Sequence, residues 1–233
     1  MAVACFLLTC RKDKGKLGNG YPQEISDILV TKCASPGCHN QKSKDAAAGL
    51  STETWDDLFK GDRNGAVCIP YRHDYSNIFL FTNTDKSLGP VNEPVMPLNK
   101  PSLSEKEMKT LIDWIDNGAP NSDGKIMWAD NPNRKKVYVT NQGCNVVTVF
   151  DAATQLQMRY IDVGSALDKS PHMIKLSPDG NYWYTCFYTG FCDRNYFYTG
   201  IAWIACGYRT CRSCVTRITT LCKNRLRKCH KQA

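Results

Sequence analysis

A single change of hydrophobic period constrains this chain more than any other feature. Before residue 121 the apolar side chains recur at three- and four-residue intervals, and from Lys136 onward they alternate. Helices followed by strands, rather than interleaved with them, imply an α+β multidomain chain with its boundary near Met127–Arg134. The clearest helix is expected over Ser104–Asn117. Ser104 and Glu107 have the spacing of a capping box, and Met108, Leu111, Ile112 and Ile115 form one stripe. Gly118 follows where a left-handed cap is wanted, and Pro120 blocks continuation. Ile25, Ile28 and Leu29 mark a shorter amphipathic helix over Gln23–Lys32, the most economical partner for that stripe. Thr52–Lys60 reads as a second short helix, and Asn77–Phe81 as a further turn. Gly89–Pro101 carries Pro90, Pro94, Pro97 and Pro101 and is expected to be a loop.

Beyond the boundary, Lys136–Asn141, Val146–Phe150 and Gln157–Val163 read as strands. Ile174–Leu176 then leads through the turn Ser177-Pro178-Asp179-Gly180 into Tyr182–Tyr188. The expectation is one four-stranded antiparallel meander over 134–188. Residues 189–233 form an irregular tail without periodicity. Composition matters mainly there. The chain of 233 residues has a formal charge of +8, but nine basic residues against the single acid Asp193 lie between Phe191 and Ala233. The rest is neutral overall, so a basic balance does not argue for a nucleic-acid surface on the folded part. No run of about 18 apolar residues is present to span a bilayer as a helix.

Residues 1–22 comprise a short apolar stretch and a polar, Gly-rich linker. Leu7-Leu8-Thr9-Cys10 has the form of a lipoprotein signal, with Cys10 as a lipid anchor, although Thr9 departs from the small residue usual there. An apolar N-terminus without that role accounts for the same residues equally well.

The segment richest in chemistry is Cys33-Ala34-Ser35-Pro36-Gly37-Cys38-His39. Covalent haem attachment requires two thiols and an imidazole directly after the second, usually spaced C-x-x-C-H. Four residues separate the thiols here, and Pro36-Gly37 suits a tight turn that takes up the excess. Three other readings fit the spacing: a Cys33–Cys38 disulfide, a zinc half-site completed by Cys68 and His73, and an incidental histidine at a helix end. A low-spin electron-transfer haem also needs a ligand on its far face. Met96, in Glu93-Pro94-Val95-Met96-Pro97, offers a soft thioether on a proline-stiffened loop, with His73 as its rival.

Taken with Gly49-Leu50, the Trp55–Leu58 segment and Leu111–Ala119, these residues resemble a small bacterial c-type cytochrome domain, of the type in planctomycete and Bacteroidetes exported proteins. The likeness covers about Glu24–Pro120. It implies an all-α bundle over 23–121 whose first and last helices cross. It further implies one covalent haem c on Cys33 and Cys38, His39 as proximal ligand, and Met96 as distal ligand. The implied role is single-electron transfer to redox partner proteins of the cell envelope, in the periplasm or at a membrane reached through a lipid anchor. Tyr138–Asn141, Val146–Asp151, Gly164, Pro171-His172 and Ser177–Gly180 resemble one YVTN-type β-propeller repeat, in which His172 and Asp179 are turn and packing positions. Two rival functions follow: a truncated haem–propeller oxidoreductase, and a non-haem propeller-type interaction module. In the tail, Cys211 and Cys214 with Cys222, Cys229 or His230 make a badly spaced zinc ribbon. The preferred reading is a frameshifted end of a longer propeller gene.

Overall fold

The computed structural model describes residues 18–164, 169–178, 180, 182–189, 197–198 and 201–203. Cys10 and the cysteines after Cys186 lie outside these residues, as does Asp179. The chain has mixed α+β content and divides into two compact units, Met1–Pro132 and Asn133–Ala233.

The regular structure of the first unit is helical: α1 (Gln23–Ile28), α2 (Trp55–Leu58), α3 (Asn77–Thr82) and α4 (Glu105–Asp116), with short 3-10 turns between them. Helix α4 begins and ends as its local sequence dictates. The Ser104 hydroxyl accepts from the Glu107 backbone N–H, and the Ser104 backbone N–H donates to the Glu107 carboxylate at 2.8 Å. At the other end, Gly118 (φ +96°) and Ala119 donate to the carbonyls of Ile115 and Trp114, closing a Schellman motif. The stripe Met108, Leu111, Ile115 is buried, with Leu111 and Ile115 fully inaccessible. Helix α1 packs against α4. Tyr21, Ile25, Ile28, Leu29, Trp55, Leu58 and Phe79 complete the buried interior. Two long polar contacts tie it together: Trp55 Nε1 donates to the Ala119 carbonyl at 2.9 Å, and Lys32 Nζ to Glu107 Oε2 at 2.6 Å.

One departure from the expected Gln23–Lys32 helix matters for the site. From Leu29 to Cys33 the coil widens into a π-helical turn, closed by the Ala34 N–H on the Leu29 carbonyl. Such turns sacrifice helical regularity and often accompany functional segments. Here the turn ends on Cys33.

The second unit begins with an antiparallel sheet β1 (Lys136–Asn141), β2 (Val146–Asp151) and β3 (Gln157–Asp162), in that order. Asp151 caps the β2–β3 turn, accepting from the Thr154 N–H and hydroxyl and pairing with Arg134. The next strands, β4 (Lys169–Leu176) and β5 (Trp183–Thr189), form an antiparallel hairpin in a separate sheet of order β4-β5-β7-β6, where β6 is Phe197–Tyr198 and β7 is Ile201–Trp203. The single four-stranded meander expected over 134–188 is therefore divided: β4 pairs with β5 and not with β3. Val147 and Val163 pack against Trp183 and Phe187, and the rings of Tyr138 and Trp183 lie 6.1 Å apart.

Candidate haem-attachment site

The Cys33–His39 loop is held shut by its own backbone. The His39 N–H donates to the Cys33 carbonyl at 3.0 Å, and the Cys38 N–H to the Ser35 carbonyl at 3.0 Å. Gly37 adopts φ +81°, which the turn needs and which an L side chain rarely tolerates. Pro36 and Gly37 are the central residues of the turn that the Cys38 N–H closes on the Ser35 carbonyl.

Asn40 braces the loop from below. It is buried, its Nδ2 donates to the Ser35 carbonyl at 2.8 Å, and its Oδ1 accepts from the Lys42 and Ser43 N–H groups. Sequence reasoning passed over Asn40, although Asn40-Gln41-Lys42-Ser43 has the pattern of an Asx turn. Thr52 holds the same region from the other side. Its hydroxyl lies 3.2 Å from the Leu29 carbonyl and 3.3 Å from that of His39.

Cys33 and Cys38 are free, half-buried thiols. Burial pushes Cys33 up to about 11 and the neighbouring Cys38 adds to this, while Lys32 and Lys100 work in the opposite direction. His39 is half-buried. Desolvation lowers its pKa, and the backbone of Leu50 and Ala47 facing the ring partly offsets that. The imidazole is therefore held neutral, the form that binds a metal. Its Nδ1 is buried without a hydrogen-bond partner. A half-buried imidazole directly after two unjoined thiols is a donor set that would fit haem c, with sulfur for the vinyl carbons and a ring nitrogen for iron.

The two candidates for the far-side ligand are placed differently. Met96 is half-buried on the proline loop, where its N–H donates to the Phe81 carbonyl at 2.7 Å and the Asn92 N–H to that of Leu80 at 3.0 Å. Leu98 on the same loop and Leu88 just before it are exposed, at 54% and 44%, and so leave apolar surface uncovered. The far end of the loop reaches the cysteine loop: Lys100 Nζ donates to Ser35 Oγ at 2.6 Å. His73 is committed elsewhere. Its Nδ1 lies 2.8 Å from both carboxylate oxygens of Asp116, and its ring meets Phe79 edge-on at 4.9 Å. Asp116 is nine residues along α4 from Glu107, about 13 Å at helical rise, and Glu107 is where Lys32 attaches next to Cys33.

The zinc reading finds no support in these positions. Cys68 is fully buried, its thiol pushed up by desolvation and hydrogen-bonded to Ser76, while His73 turns to Asp116. Among the described residues, no three His, Cys, Asp or Glu side chains converge as a metal set. His172 is exposed on β4, where its Nδ1 lies 2.7 Å from Gln142 Nε2. Among the described residues no helix is long and apolar enough to cross a membrane.

Comparisons with protein-family models, curated proteins and solved structures returned no match for this chain.

Proposed function

We propose that the first unit is a c-type cytochrome domain that carries one covalent haem and passes single electrons in the cell envelope. The observation that carries this reading is the closed Cys33–His39 loop, which presents two free thiols and, directly after the second, a half-buried imidazole. When bound, haem supplies the one-electron ferrous–ferric couple.

The chain's own residues attach, orient and insulate it. Cys33 and Cys38 provide the thioether sulfurs, and Lys32 and Lys100 oppose the burial that keeps the Cys33 thiol protonated. His39, kept neutral by desolvation, supplies the proximal nitrogen. Met96 supplies a soft distal sulfur, which raises a reduction potential relative to harder ligands. Its anchorage on the Phe81 carbonyl, and the committed Asp116–His73 pair, favour Met96 over His73. Exposed Leu88 and Leu98 would supply apolar surface for a bound haem. Export, with tethering through Cys10, belongs to the same proposal, since covalent haem attachment takes place outside the bacterial cytoplasm. We place no catalytic residue on the second unit, read as one propeller-type repeat.

The test is exported expression alongside haem-attachment machinery. The expected product is red, keeps its colour through denaturing electrophoresis and gains the mass of one haem. Cys33→Ala with Cys38→Ala abolishes the covalent colour. Met96→Ala lowers the potential and admits an external ligand. Colourless protein with both thiols free or joined to each other overturns the proposal.

A further inference from the structure

The long Cys33–Cys38 spacing does more than accommodate a turn, and this inference rests on the haem reading above. Ser35 lies inside the extra length, and its hydroxyl accepts from Lys100, 65 residues away, at 2.6 Å. Its carbonyl meanwhile accepts from the buried Asn40 side chain and from the Cys38 N–H. The residue that receives Lys100 is therefore fixed on both sides, so the contact joins Lys100 to a rigid loop. Lys100 ends the proline loop whose other arm hangs from α3 through the Asn92 and Met96 N–H groups. Met96 is itself the α3 anchor nearer to Lys100, four residues before it in the chain.

We propose that Lys100 and Ser35 form a latch that closes the Met96 loop over the Cys33–His39 loop, making Lys100 a positioning residue for the distal ligand. Lys100 touches neither iron nor porphyrin in this account. It would act by holding the Met96 loop against the Cys33–His39 loop, so that Met96 and His39 could both serve as ligands to a bound haem. The contact is exposed and so contributes modestly, but a loop anchored at both ends opens less often than one anchored at α3 alone.

Hydrogen exchange on the full chain without haem tests the latch directly. Lys100→Met and Ser35→Ala should each speed exchange at the Met96 amide about fivefold. The double variant should add nothing further, as expected of two halves of one contact. Lys100→Arg should restore slow exchange. In haem-loaded protein, Lys100→Met should weaken the methionine-to-ferric charge-transfer band and speed imidazole binding, again with rescue by arginine. Unchanged exchange at Met96 in both single variants overturns the latch whether or not haem attaches. Faster exchange with an undisturbed methionine band overturns the positioning role while leaving the cytochrome reading intact. A chain that takes no haem overturns the cytochrome reading and the positioning role with it, and the exchange data then report only a structural contact.

Discussion

Glu107 joins the helix start of α4 to the lysine beside Cys33, and replacing it by glutamine separates those two jobs. The carboxylate accepts from Lys32 Nζ at 2.6 Å and from the Ser104 N–H and hydroxyl, each at 2.8 Å. The Lys32 hydrogen bond is the main cause of a pKa pulled from the usual glutamate range down to about 2, with the Ser104 backbone next. Taken at face value, such a fall corresponds to at most about 3 kcal/mol of linkage. The two side chains are 31% and 28% exposed, so solvent screening reduces this to about 1 kcal/mol. Glutamine still accepts from Ser104, so Glu107→Gln keeps the capping box and loses the ion pair. The sign follows from the depressed value. Between the two pKa values the unfolded chain binds more protons, so the stabilisation is complete above the ordinary glutamate value and disappears as pH falls towards 2.

The expected result at pH 7 is a Tm lowered by about 4 °C in the first unit's transition, with the gap closing progressively below pH 4.5. Thermal melts of wild type and Glu107→Gln from pH 7 to pH 2.5 provide the assay, and 1 M salt should narrow the gap at neutral pH. A gap that stays constant, or widens, as the pH falls would refute the ion-pair account. Ser104→Ala is the control, because it removes the cap while sparing Lys32 and should cost about 1 kcal/mol with a weaker pH dependence.

Two further outcomes can be read by denaturant titration. Trp55→Phe keeps most of the buried ring but leaves the Ala119 carbonyl without its donor, and should cost about 1–3 kcal/mol with little change in m-value. Gly118→Ala forces a Cβ onto a φ of +96° and to within 2.9 Å of Ile126 Cδ1 and Tyr71 Cζ. It should cost about 2 kcal/mol or more, whereas an alanine at Gly37, where a Cβ meets nothing within 4 Å, should cost only the backbone term of about 1 kcal/mol.

What could be read along the chain was what neighbouring residues decide among themselves. The capping box of Ser104 and Glu107, the glycine stop at Gly118 and the turn at Pro36-Gly37 depend on dihedral preferences and on donors within three or four residues, so they are legible before any folding. The cysteine pair with its histidine is legible for the same reason. Asn40 was equally local and was missed only because its turn pattern sat in the shadow of His39. The partners of Lys32, Lys100 and Trp55 lie 75, 65 and 64 residues away. Nothing in the sequence near either end of those pairs specifies the other. They depend on the α1–α4 packing that brings distant segments together, because one hydrogen bond does not offset the entropy of closing loops this long. The division of the strands between two sheets is of this kind as well: alternation identified β1, β2, β3 and β5 and the end of β4, but β6 and β7 fall in a tail that was expected to be irregular, and pairing is a choice among partners that depends on the packing of Val147 and Val163 on Trp183 and Phe187.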